Sequence, residues 1–167
     1  MIYSLSGAQG QGKSEMVSFL QEEGYRVLPM TKPKNITSEG KFQLYQEKLI
    51  EEKYSNILSF RSEGVDIVLE SSFIDIFVYS IMILGVHHDH ADWMDALYER
   101  CLAYQKVIDV SILFPFNKNT YSTMNRFSTE AFQVLLEYHF TKNNIELCKA
   151  VDIEDVKKHI IGTHFEN

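Results

Sequence analysis

Proline occurs three times and cysteine twice in 167 residues. So few chain breakers leave no room for a Pro-rich linker, and no segment has the biased composition of a low-complexity tract. Cys101 and Cys148 stand apart, without CxxC spacing and each in an apolar stretch. That pattern excludes a disulfide framework and predicts buried thiols in a reducing compartment. No run of 18 apolar residues is present, and the start MIYSLSG lacks the basic flank and long apolar region of a signal peptide. A cytoplasmic protein with no membrane partner is expected. Positive charge is also short, since 16 Lys and Arg face 23 Asp and Glu for a net charge of -7. Such a surface field repels polyanions, so nucleic acid is disfavoured as a partner. A small anionic ligand needs only a few local donors and a metal.

The content is otherwise that of a packed domain: 45% apolar and 23% charged residues remove the disordered and fibrous classes. The length suits one domain over residues 1–167. Short apolar runs alternate with longer stretches of helical period. Strands are predicted at 2–6, 25–30, 66–70, 110–116 and 145–150, and helices at about 13–23, 38–62, 73–84, 91–106, 128–142 and 153–161. Strands alternating with helices imply parallel crossovers, hence an α/β fold with a five-stranded parallel sheet covered by helices on both faces.

Behind the first apolar run stands GAQGQGKS, in which Gly7, Gly12, Lys13 and Ser14 satisfy G-x-x-x-x-G-K-[ST] between a strand and a helix. Glycines let successive N–H groups turn toward a phosphate, Lys13 reaches the terminal phosphates, and Ser14 offers a hydroxyl to Mg²⁺. The start of the helix adds the positive end of its dipole. The loop residues placed at an ATP donor are Gly7, Gln9, Gly10, Gln11, Gly12, Lys13, Ser14 and Glu15. A plain glycine turn joining strand to helix is the alternative. Glu70 ends the apolar strand DIVLE, where ligands bind in open α/β sheets. There it can hold a Mg²⁺ water or take a proton from an acceptor; capping the next helix or facing solvent are the alternatives.

The chain resembles the P-loop nucleoside and nucleotide kinases, a group that includes deoxynucleoside kinases, nicotinamide-riboside kinase domains and phage deoxynucleoside monophosphate kinases. GAQGQGKS carries the resemblance. ESSFIDIFVYS and FPFNKNTYSTMNRFS add to it as looser matches to the family's acidic segment and lid. The resemblance implies a three-layer P-loop NTPase fold and transfer of a phosphoryl group from ATP, with Mg²⁺, to a nucleoside or (deoxy)nucleoside monophosphate. Glu70 maps onto the family's acidic residue, but Ser71 stands where the family has Arg, which removes a phosphate-binding cation. A lid is expected near 117–127, with Lys118 and Arg126 as its cations. Of these, Arg126 suits the spread charge of the transition state better, unless it is a solvated residue before a helix capped by Ser128.

The family binds its acceptor against the second helix, here KFQLYQEKL. Phe42 and Tyr45 share a helical face with Gln43 adjacent, a set able to meet a planar base, and FQ followed by Tyr resembles the deoxynucleoside kinases. The same spacing fits an amphipathic helix with Phe42, Tyr45 and Leu49 as its buried stripe. Lys32 and Lys34, in a Pro-stiffened loop, either contact an acceptor phosphate or are solvated. In HHDHAD (87–92) the spacing does not aim three ligands at one metal. Two other readings stay open: a nucleotide-binding regulatory module, suggested by Ser71, and a kinase acting on a modified base in DNA. A homodimer is compatible with either.

Overall fold

A computed structural model of the protein describes residues 1–30, 38–85, 88–117 and 126–162. The elements in chain order are β1 (Ile2–Ser6), α1 (Lys13–Glu22), β2 (Arg26–Leu28), α2 (Glu39–Ser62), β3 (Ile67–Leu69) and α3 (Phe73–Leu84). After a 3₁₀ turn (His88–His90) come α4 (Ala91–Gln105), β4 (Val110–Leu113), α5 (Arg126–Lys142), β5 (Cys148–Lys149) and α6 (Ile153–Ile161). The strands form one parallel sheet in the order β2-β3-β1-β4-β5, with Ile2 beside Ile67 and Tyr3 beside Val110.

The pleat sorts the apolar residues between two layers of helix. Tyr3, Leu5, Val68 and Ile112 turn to one face, covered by Met16 and Leu20 of α1 and by Val156 and Ile160 of α6. Ile2, Ile67, Leu69 and Leu113 turn to the other, covered by residues of α2, α3, α4 and α5. Strands enclosed on both sides read as unbroken apolar runs, which is why the sequence pattern found them. The expected three-layer α/β arrangement is therefore present.

Helix α3 is buried nearly all round because it packs against α2, α4 and α5. Its start is fixed by a capping box in which Ser72 Oγ accepts from Asp75 N at 3.1 Å and Asp75 Oδ2 accepts from Ser72 N at 2.9 Å. Ser38 and Asp152 cap α2 and α6 in the same manner, each accepting from a backbone N–H three residues on.

The second and third strands are shorter than expected, at Arg26–Leu28 and Ile67–Leu69, and three further boundaries differ. Helix α5 opens at Arg126, so Ser128 lies in its first turn and does not serve as the N-cap. The fifth strand pairs only over Cys148–Lys149. Residues before it serve to end α5: Asn144 takes a positive φ of 52°, and Ile145 N donates to the Phe140 carbonyl at 3.0 Å. The fourth strand pairs only as far as Leu113, after which Phe114 N still donates to Ser6 O at 2.8 Å. Among the described residues no helix is long and apolar enough to cross a membrane.

Candidate active site

Because β1 lies between β3 and β4, its carboxyl end opens at the point where chain connections diverge to either side. In open α/β sheets that is where ligands settle. The glycine loop leaves β1 there. Gly7, Gly10 and Gly12 have φ of 138°, 77° and 90°, values that side chains resist. At Gly7 a Cβ would also come within 3.4 Å of Phe114 Cβ. The loop is braced from behind by two distant side chains: Gly7 N donates to Asp75 Oδ1 at 2.9 Å, and Ala8 N donates to Gln133 Oε1 at 3.3 Å. Gln11 Oε1 accepts from Asn117 N at 2.6 Å, tying the loop to the segment after β4.

Helix α1 begins at Lys13 with Gly12 as its N-cap and no side-chain acceptor there. Its first-turn N–H groups and dipole are thus presented as an anion site would require. Lys13 is buried, and its ammonium donates to the Gly7 carbonyl. Gln9, Gly10, Lys13, Ser14 and Glu70 are among the residues around a cavity of about 260 Å³. A wider cleft of about 570 Å³ adjoins it, sharing Gly10, Gly12 and Glu15 and reaching Phe116, Val151 and Ile153.

Glu70 is half-buried at the end of β3 and bridges two neighbours. Oε1 accepts from Ser14 Oγ at 2.9 Å, and Oε2 accepts from Met30 N at 2.8 Å. It does not cap the following helix, a task that Ser72 performs. A hydroxyl and a carboxylate meeting at the loop mouth are hard oxygen donors of the kind Mg²⁺ takes, alongside phosphate and water. Among the described residues no group of three or more His, Cys, Asp or Glu forms a metal site on its own.

On the other side of Glu70, α2 presents Phe42, Gln46, Ile50, Lys53 and Ile57 as its buried face. Phe42 packs against Tyr79 with ring centroids 6.2 Å apart. Gln43 is half-buried and hydrogen-bonds His90 Nδ1 at 3.2 Å, while Tyr45 is half-buried with its hydroxyl pKa raised, chiefly by burial. Leu49, expected on the buried stripe, is only partly covered. Gln46 is 1% exposed, and its carboxamide oxygen has no hydrogen-bond partner among the described residues. Lys53 is 9% exposed; its ammonium donates to the Ser71 carbonyl and, at 2.8 Å, to Ser71 Oγ. Burial lowers its pKa to about 8; Lys13 pushes the same way, while Asp75, Glu70 and Cys101 act against both. A cavity of about 130 Å³ lies here, touched by Leu28, Met30, Glu52, Lys53, Asn56 and Ser71.

Of the residues singled out in the glycine loop, Gln9, Gly10, Gly12, Lys13, Ser14 and Glu15 line one cavity with Glu70, while Gly7 and Gln11 do not. Phe42, Gln43 and Tyr45 lie together on α2 but do not reach the cavities just described. Lys32, Lys34 and Lys118 fall outside the described residues, and Arg126 is placed only through its backbone, at the start of α5. Sequence reasoning did not single out Gln46, Lys53, Asp75 or Gln133. For the first two a signal existed: polar residues recurring on an otherwise apolar helical stripe. A second cleft of about 410 Å³, near Leu102, Lys106, Ile108 and Asn143, lies toward the amino ends of β4 and β5, away from the glycine loop.

Sheet order and the glycine loop after β1 define a three-layer α/β fold with a P-loop motif. The sequence matches no protein-family model and no curated protein. Solved structures do match along the full length of both chains. Deoxyadenosine kinase from M. mycoides with bound dCTP superposes with a TM-score of 0.61 at 13% identity. The same enzyme with bound dATP gives 0.59 at 13%, and with the products dCMP and a flexible dCDP it gives 0.60 at 12%. At such identity the likeness establishes the fold.

Proposed function

We propose that this protein is a kinase that transfers the γ-phosphoryl group of ATP to a nucleoside or (deoxy)nucleoside monophosphate. The observation that carries the proposal is Glu70, whose carboxylate meets the Ser14 hydroxyl at 2.9 Å across the mouth of the glycine loop. Such a carboxylate faces both a bound phosphate tail and an acceptor arriving from the α2 side. The fold shared with deoxyadenosine kinase supports this choice among P-loop chemistries.

In this proposal Gln9, Gly10, Gln11, Gly12, Lys13, Ser14 and Glu15 surround the triphosphate, and the wider cleft beside Phe116, Val151 and Ile153 takes the donor base. Gly7 contributes backbone shape, since its own N–H is held by Asp75. Ser14 and Glu70 would hold Mg²⁺, which supplies charge neutralisation on the phosphates. Lys13 leaves the Gly7 carbonyl to meet the β- and γ-phosphates, and Glu70 orients the acceptor oxygen and accepts its proton when that oxygen is a hydroxyl. Arg126, at the head of α5, closes over the γ-phosphate together with the segment 117–127. The acceptor base lies against α2. There Phe42 and Tyr45 supply aromatic surface, Gln43 an amide, and Lys32 and Lys34 contacts to any acceptor phosphate. Gln46 offers the carboxamide oxygen that lacks a partner.

A second reading, a regulatory nucleotide-binding module, is favoured by one feature: Ser71 supplies no charge next to Glu70. ADP release measured over a panel of nucleosides and nucleoside monophosphates separates the two. Release that depends on an acceptor supports the kinase. Saturable Mg²⁺–ATP binding without such release defeats it.

A further inference from the structure

Lys13 and Lys53 are the two buried lysines among the described residues, and the charge of Lys13 acts on Lys53. Lys13 comes from the loop that would hold the donor, and Lys53 from the buried face of α2. Each rests its ammonium on a main-chain carbonyl, that of Gly7 in one case and of Ser71 in the other.

Lys53 has no carboxylate within ion-pair distance among the described residues. Its direct partners are the carbonyl and hydroxyl of Ser71, and its ammonium sits 5.7 Å from the centre of the Phe73 ring. Buried charges are ordinarily paired, because removing them from water is costly. Here the nearest like charge, Lys13, adds repulsion, while Asp75, Glu70 and the Cys101 thiol face Lys53 from α3, the end of β3 and α4. Asp75 is itself committed to Gly7 N, Ser72 N and the Ser72 hydroxyl. With a pKa of about 8, Lys53 is still mostly protonated at neutral pH. Lys53, buried without an ion-pair partner among the described residues and repelled by Lys13, is a cation that an entering anion would relieve.

From this geometry we infer that Lys53 is a catalytic residue, the cation that meets the γ-phosphoryl oxygens from the acceptor side while Lys13 meets them from the donor side. The inference rests on the kinase reading above. In the step itself the acceptor oxygen forms a bond to the γ-phosphorus, and the bond from that phosphorus to the β,γ-bridging oxygen breaks. The electron pair of the broken bond stays with ADP. A hydroxyl acceptor gives its proton to Glu70; a phosphate acceptor has none to give. Charge spreads over the three equatorial oxygens of the transferred group, and one lysine on the donor side covers only part of it. Lys53 and Ser71 line a small cavity whose wall includes Met30, and Met30 also lines the loop cavity that holds Lys13 and Glu70, so the flexible four-carbon stem of Lys53 stands next to that site.

The alternative is that Lys53 only ties α2 to the turn before α3. Lys53→Gln separates the two, because its carboxamide still donates to the Ser71 carbonyl but carries no charge. Lys53→Met removes both and serves as the second variant should the first fail to fold. Thermal melting, calorimetric binding of Mg²⁺–ATP and acceptor-dependent ADP release are measured on the wild-type and variant proteins. The expected result for the folded variant is a kcat lower by about 100-fold, with Mg²⁺–ATP affinity within about threefold and a melting temperature equal to or above the wild type. A folded variant that keeps kcat within about threefold overturns the role of Lys53 and leaves the kinase reading standing. A wild-type protein that releases no ADP with any acceptor overturns the kinase reading, and the role of Lys53 with it.

Discussion

At the donor end of the candidate site the surface offered to a ligand is backbone. Three glycines with positive φ shape the loop, α1 begins without a side-chain cap, and Asp75 and Gln133 brace the first two amides from behind. At the proposed acceptor end stand side chains on the buried face of a long helix, Phe42, Gln46 and Lys53, of which Lys53 lines a cavity with Ser71. The first construction, built of backbone, would take whatever carries a phosphate tail. The second can be altered one residue at a time without moving the chain. On the proposed function, binding of the donor and choice of the acceptor would be governed by separate parts of the molecule, joined at Glu70.

That separation is broken most directly at the donor. Lys13→Ala removes the cation that would meet the transferring phosphate, and transfer should fall by about 10³-fold while circular dichroism shows the fold unchanged. Unchanged steady-state turnover would remove the donor assignment. At the junction, Glu70→Gln keeps one oxygen, able to accept from Ser14 Oγ or from Met30 N but not from both, and is no longer a base, so kcat should fall by about 100-fold. Loss of Mg²⁺–ATP binding with transfer per bound ATP intact would place Glu70 wholly on the donor side.

Asp75 tests whether the donor end depends on a side chain that no ligand touches. Its carboxylate accepts from Gly7 N at 2.9 Å, from Ser72 N at 2.9 Å and from the Ser72 hydroxyl, all in a buried setting. Asp75→Ala strands those donors and removes half of the capping box, so stability measured by urea unfolding should drop by about 2 kcal/mol. Mg²⁺–ATP affinity should weaken with it, because Gly7 is freed. A variant as stable as the wild type would show that the loop stands without that brace.

The same contrast explains what the sequence made legible. Backbone-built features leave local patterns, so GAQGQGKS, the strand before it and the helix after it could be read directly, as could the apolar runs of the enclosed sheet. Glu70 could be read because it closes such a run. Braces acting across the chain leave none: Asp75 reaches Gly7 over 68 positions and Gln133 reaches Ala8 over 125. On α2 the periodicity was present but its phase was ambiguous, since FQLYQEKLIEEKY mixes apolar and charged residues on every face. The stripe expected through Phe42, Tyr45 and Leu49 is displaced to Phe42, Gln46, Ile50, Lys53 and Ile57. Gln46 and Lys53 take positions that packing alone would give to Leu or Ile.

Gln46 yields the smallest effect and the sharpest contrast. An amide oxygen buried without a partner costs stability by about 1–3 kcal/mol, so a residue kept only for packing would be better replaced by Leu. Gln46→Leu should therefore melt at or above the wild-type temperature. If the amide reads the acceptor's base, the same change should raise the acceptor KM by about tenfold, the equivalent of about 1.4 kcal/mol, and leave Mg²⁺–ATP affinity alone. Stability and acceptor recognition would then move in opposite directions from a single substitution. A Gln46→Leu protein that is more stable with its acceptor KM unchanged would return base reading to Gln43, whose link to His90 at 3.2 Å would have to open first.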